Sequence, residues 1–180
     1  MKRLGLIVNP IAGMGGRVGL KGTDGRDILE QAIQLGAKPV APHRAVEALR
    51  SLHTSAGHVP EVITCPREMG ESPAKEAGFD PAVLDVLTRQ RTTPEDTKQA
   101  ARIMQERGVD LILFVGGDGT ARDVCEVIDE KTPCLGIPSG VKAYSAVFST
   151  NPRTGGSRDR ATPHRRALLA WRGFLRPRRA

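Results

Sequence analysis

A chain of 180 residues has room for one α/β domain with a real core and little more. Aromatic residues make up 3% of it, so that core has to be built from Leu, Ile, Val and Ala, which suits a parallel sheet covered by helices. The net charge of +7 does not mark a specific nucleic-acid binder, because residues 153–180 hold nine arginines and one acid whereas residues 1–152 hold 18 basic and 19 acidic side chains.

The chain opens on Leu4-Gly5-Leu6-Ile7-Val8, an apolar run that ends at Asn9-Pro10 and reads as a buried strand followed by a turn. A glycine-rich stretch follows, with Gly13, Gly15, Gly16, Gly19, Gly22 and Gly25. Helical patterning begins near Asp24 or Arg26, predicts Ile28, Ala32 and Leu35 on the inward side, and stops at Gly36. A second helix is expected over 41–52, with Ala45, Val46, Leu49 and Leu52 facing the core, and a strand over 59–65. Residues 72–77 read as a short helix, and 82–87 as either strand or helix.

The sharpest local signal starts at Thr93. Thr93 can cap a helix, Pro94 stands at its first position, and Asp96 stands where a capping box places an acid. Ala100, Ile103, Met104 and Arg107 share a side of that helix, and Gly108 ends it. Asp110-Leu111-Ile112-Leu113-Phe114-Val115 is then a continuous apolar run, the mark of a central parallel strand. Gly116-Gly117-Asp118-Gly119-Thr120 comes directly after it, followed by Ala121, Val124, Cys125 and Ile128 at helical spacing. Pro133-Cys134-Leu135-Gly136-Ile137 gives a further strand, ending in the loop Pro138-Ser139-Gly140-Val141-Lys142. Strands and helices alternate, which predicts an α/β fold with a mainly parallel sheet and flanking helices. The loops after Val8, Val115 and Ile137 should gather at one sheet edge, where such folds bind ligands.

The three cysteines, Cys65, Cys125 and Cys134, form no C-x-x-C pair. Their number and spacing speak against zinc and a disulfide framework and predict free, buried thiols in a reducing cytoplasm. The run over residues 4–8 is too short for a signal-peptide core, and no stretch is long enough to span a membrane. The expectation is a soluble cytoplasmic protein without membrane partners.

The Gly-Gly-Asp-Gly-Thr loop carries the strongest chemical signal. Glycines let the backbone approach an anion without a Cβ in the way, and the loop leads into a helix whose N-terminal amides favour phosphate. Thr120 either caps that helix or donates to a phosphate oxygen. Asp118 would be repelled by phosphate unless it has a task, either holding Mg²⁺ or taking a proton from an attacking hydroxyl. The bland alternative is a tight strand-to-helix turn. Asn9-Pro10-Ile11-Ala12-Gly13-Met14-Gly15-Gly16-Arg17 is a second candidate phosphate element or a flexible turn; it matches neither G-x-G-x-x-G nor a P-loop. Lys142, after Gly140, is either a phosphate partner or a surface lysine. Arg122 and Asp123 are expected in the first turn of the helix after the loop, where Asp123 suits the helix dipole and Arg122 needs an anion nearby. The four histidines are scattered at polar positions and read as surface residues.

These loops give the chain a resemblance to the ATP-NAD kinase family, and within it to the branch that includes the acetoin-catabolism X proteins. The likeness rests on Gly5-Leu6-Ile7-Val8-Asn9-Pro10-Ile11-Ala12-Gly13-Met14-Gly15-Gly16, Gly22-Thr23-Asp24-Gly25, Gly116-Gly117-Asp118-Gly119-Thr120-Ala121-Arg122-Asp123 and Gly136-Ile137-Pro138-Ser139-Gly140-Val141-Lys142. It implies an N-terminal domain of the NAD kinase and phosphofructokinase kind, spanning 1–152. It also implies transfer of a phosphoryl group from ATP, or inorganic polyphosphate, to the 2′-hydroxyl of NAD's adenosine ribose, with Mg²⁺ or another divalent ion. Asp118 matches the family's proposed base, and Gly116, Gly117, Gly119 and Thr120 match its phosphate-contacting loop. Asn9, Gly13, Gly15, Gly16, Asp123, Gly140 and Lys142 complete the expected nucleotide site, small-molecule nucleotides are the expected partners, and an intact member is expected to self-associate.

The sequence departs from the family in two places. The loop after Ile137 is not the Asn-rich version of mainstream NAD kinases, which admits a lipid or another hydroxyl as acceptor. The family's β-rich second domain, with its Asn-Glu motif, has no counterpart after Pro152. Residues 153–180 read instead as a basic, Arg-rich tail, either out-of-frame text or a natural disordered segment. A chain so truncated is expected to turn over poorly, and a nucleotide-binding module without turnover is the alternative from another functional class.

Overall fold

The apolar runs form strands because both of their faces are covered. In the computed structural model, which describes residues 2–20, 26–55, 59–86, 92–129 and 131–140, five strands make one all-parallel sheet. They are β1 (Arg3–Val8), β2 (Glu61–Thr64), β3 (Ala82–Val83), β4 (Leu111–Gly116) and β5 (Cys134–Pro138), in the order β3-β2-β1-β4-β5. Along β1, Leu4, Leu6 and Val8 point to one face while Ile7 points to the other, the period-two alternation of a strand.

The first face is packed by α3 (Ala41–Ser55) and α4 (Glu71–Glu76), through Ala45, Val46, Leu49, Leu52 and Ala74. The second is packed by α5 (Pro94–Glu106) and α6 (Asp118–Cys125), through Ala100, Ala101, Met104, Ala121 and Val124. Gly5 faces this second layer closely, since a Cβ there would lie 2.8 Å from the sulfur of Met104. Two short helices, α1 (Met14–Arg17) and α2 (Arg26–Gln34), lie between β1 and α3.

The predicted capping box forms in full. Thr93 N donates to Asp96 Oδ2 at 2.7 Å, the Thr93 hydroxyl donates to the same oxygen at 2.8 Å, and Asp96 N donates back to Thr93 Oγ1 at 3.4 Å. Replacing Thr93 by Ala is expected to cost about 1 kcal/mol, read as a lower urea midpoint with an unchanged slope.

Several local expectations shift. Leu35 is exposed, and Leu29 with Ala32 forms the inward stripe of α2 instead. Leu35 lies beyond the last helical residue, Gln34, where Gly36 turns the chain at φ 81°. Val59 is exposed because β2 begins only at Glu61, and Arg107 is exposed at the end of α5. Residues 82–87, ambiguous in sequence, contain the two-residue strand β3. Cys65 and Cys134 are buried as expected, but Cys125 is exposed because it ends α6.

The strand order places the ligand edge. From β1 the chain moves outward to β2 and β3, then returns to β4 on the other side of β1. The connection after β1 carries α3 to the first face, and that after β4 carries α6 to the second. The carboxyl ends of β1 and β4 therefore flank a topological switch point, the crevice where open α/β sheets bind ligands.

Candidate phosphate-binding rim

Parallel register brings three loops to one level. Val8 pairs with Val115, Val115 with Ile137, and Gly116 with Pro138, so the chain leaves β1, β4 and β5 side by side. Asn9 extends the ladder by one bond, its N–H donating to the Val115 carbonyl at 2.9 Å. Its side chain then ties the first loop together and to the second. Asn9 Oδ1 accepts from the Ile11 N–H at 3.3 Å, and Asn9 Nδ2 donates to Thr120 Oγ1 at 3.0 Å. Ala12 and Met14 are buried and anchor the rest of that loop, part of which is helical.

The third loop locks onto both others. Ser139 N–H donates to the Gly116 carbonyl at 3.0 Å. The Ser139 carbonyl lies against Gly13, where it would overlap any Cβ. Gly13 adopts φ 81°, and Gly140 sits beside it, with a built Cβ 3.8 Å from the Gly13 Cα. Gly116 is equally committed to packing, since a Cβ there would run into the Thr120 side chain.

The remaining glycines behave differently. Among the described residues, a Cβ built on Gly16, Gly117 or Gly119 meets nothing within 4 Å. The helix α6 begins at Asp118, with Gly117 extended at its N-cap and no side chain capping it. The first-turn amides of an α-helix have no partner within the helix, and the dipole of α6 favours an anion at this end.

The structure sorts the expected site residues into distinct roles. Asp118 is half-buried in the first turn of α6, two residues from the Thr120 hydroxyl that Asn9 holds. Thr120 is buried and does not cap the helix; its hydroxyl receives Asn9 instead. Asn9, Gly13 and Gly116 hold the loops together, whereas a Cβ on Gly16, Gly117 or Gly119 would meet no described neighbour. Gly15 stands in α1 between them.

Arg122 and Asp123 fall in the second turn of α6 rather than the first, because the helix starts within the glycine loop itself. Asp123 is half-buried, and burial raises its carboxyl above the usual range against the pull of Lys98 and Arg122. The charged groups that act on it are Lys98 and Glu95 of α5 together with Arg122 and Glu126. Lys142 and the tail lie outside the described residues.

Sequence reading missed Ser139. Its hydroxyl is buried with no hydrogen-bond partner among the described residues, and its backbone bridges the other two loops. The available signal was its place after Pro138, level with Gly116, which only the strand register reveals.

Among the described residues no three His, Cys, Asp or Glu side chains gather into a metal-binding group. Asp118 is the acid on the rim loop. Among the described residues no helix is long and apolar enough to cross a membrane.

No curated protein and no solved structure matches the chain. The family model for the ATP-NAD kinase N-terminal domain does match, over residues 4–158, and so takes in all three loops. An all-parallel α/β sheet with these glycine loops at its switch point, together with that match over most of the length, establishes that the chain belongs to the ATP-NAD kinase family.

Proposed function

We propose that the rim grips the phosphates of ATP, or of inorganic polyphosphate, and that the chain directs the terminal phosphoryl group to the 2′-hydroxyl of NAD's adenosine ribose, giving NADP. The observation that carries this reading is the set of uncrowded glycines. Gly117 and Gly119 stand at the N-terminus of the eight-residue helix α6, and Gly16 in α1; a Cβ on any of them would meet no described atom within 4 Å. Backbone amides there suit phosphate oxygens.

Asp118 takes the proton from the attacking hydroxyl. Its place in the first turn of α6, next to Gly117 and Gly119, supports that role. Transfer of this kind depends mainly on positioning and charge neutralisation. A divalent ion bound with the nucleotide supplies the neutralisation, with Asp118 the rim residue able to join its shell. The Asn9 bond to Thr120 and the Ser139 bond to Gly116 keep the three loops in fixed relation while the phosphates bind.

The test is incubation of the full chain with Mg-ATP and NAD, and separately with Mg-polyphosphate and NAD, followed by assay for NADP. Slow NADP formation, well below that of a two-domain enzyme, is the expected result. ATP binding with no transfer would identify a nucleotide-binding module instead, and transfer only to a lipid hydroxyl would identify another acceptor.

A further inference from the structure

Cys125 and Cys134 are nine positions apart, and the fold brings them together. Cys125 is the last residue of α6 and Cys134 the first of β5, and their sulfurs stand 3.8 Å apart. One of the two is exposed and the other is buried in the second-face core. This is the arrangement of an attacking thiol and a resolving thiol, and phosphoryl transfer uses neither.

We propose that Cys125 and Cys134 form a reversible thiol–disulfide site, oxidised by exchange with a small-molecule disulfide of the glutathione class and reopened by the corresponding thiol. The chemistry differs at the two sulfurs. The hydrogen bond with Cys134, in which either sulfur can be the donor, holds Cys125 down to about 7 although burial opposes this. The same contact and burial push Cys134 upward. Cys125 is the exposed sulfur and so the one a reagent can reach.

The exchange balances without any further reactant. The Cys125 thiolate attacks one sulfur of the small disulfide, forming a mixed disulfide and releasing one thiolate. Cys134 then attacks the Cys125 sulfur. The protein disulfide forms, the second small thiolate leaves, and the Cys134 proton passes to it. Two protein thiols are oxidised to one disulfide, and one small disulfide is reduced to two thiols. The sulfurs have to close from 3.8 Å to about 2.05 Å, which the exposed end of α6 can accommodate.

The link would join two elements of the rim. α6 begins with Asp118, and β5 leads into Ser139 and Gly140. Oxidation would therefore fix the far end of the loop-bearing helix to the start of the strand that delivers the third loop.

The experiment treats the full chain with oxidised glutathione and maps its disulfides by mass spectrometry without reduction. The expected product is a crosslink between the peptides carrying Cys125 and Cys134, reversed by excess glutathione. Cys65, buried and pushed up to about 12, is expected to stay unmodified and serves as the internal control. Cys134→Ser and Cys134→Ala are each expected to stop at a mixed disulfide on Cys125. The wild-type map does not depend on how either variant folds. A wild-type chain that carries glutathione on Cys125 with no crosslink, or one that links through Cys65, would overturn the proposal.

Discussion

Replacing Asp118 by Asn is expected to lower phosphoryl transfer by about 10²–10⁴-fold while leaving ATP binding equal or slightly tighter. The two carboxyl-derived side chains are nearly the same size, so the first turn of α6 and the bond between Asn9 and Thr120 should persist. What changes is charge and basicity. An amide cannot take the hydroxyl proton, and it no longer repels the phosphate chain, so the losses and gains fall on different steps. The measurement pairs NADP formation with a direct ATP titration of the same preparation. A parallel loss of both would mean that Asp118 shapes the loop or the nucleotide-bound metal and is not the base. An unchanged transfer rate would remove it from the chemistry altogether.

The fold was legible in the sequence because its signals are local. The runs over 4–8 and 111–115 read as two-sided strands, the Thr93, Pro94 and Asp96 box marked the start of α5, and Gly36 and Gly108 marked helix ends with positive φ. The gathering of three loops at one edge followed from strand and helix alternation alone. Where reading failed, the deciding contacts were tertiary. Thr120 does not cap α6, and its hydroxyl oxygen accepts from an asparagine 111 residues away, a contact that leaves its own proton able to donate. Cys125 and Cys134 carried no pairing motif, and their proximity comes from α6 ending where β5 begins. Ser139 reads in sequence only as part of the loop after β5; the pairing of Gly116 with Pro138 sets its backbone against the other two loops. The start of α6 was misplaced because Gly117, Asp118 and Gly119 are poor helix formers, whereas the helix begins at Asp118 on the end of a buried strand.

The glycines of the first loop divide into two kinds, and one pair of substitutions should separate them. Gly13→Ala is expected to cost about 2–5 kcal/mol, the sum of a left-handed residue given a side chain at about 1–2 kcal/mol and an overpacked contact at about 1–3 kcal/mol. Gly13 sits at φ 81°, and the new Cβ would overlap the Ser139 carbonyl oxygen and come within 2.7 Å of its carbon. That neighbour is backbone, so it cannot rotate aside, and the Ser139 N–H is itself held to Gly116 at 3.0 Å. Against a typical domain stability of about 5–15 kcal/mol, such a loss would be a large drop in the urea midpoint. Gly16→Ala should do the reverse. It lies in α1, a Cβ there meets nothing within 4 Å, and alanine in a helix is favoured over glycine by about 0.5–1 kcal/mol. Stability should hold or rise slightly, yet ATP affinity should fall, because the methyl group enters the space reserved for phosphate. A Gly16→Ala chain that binds ATP as tightly as the wild type would show that the open side of the first loop does not receive the nucleotide, leaving the loop a purely structural brace between β1 and β5.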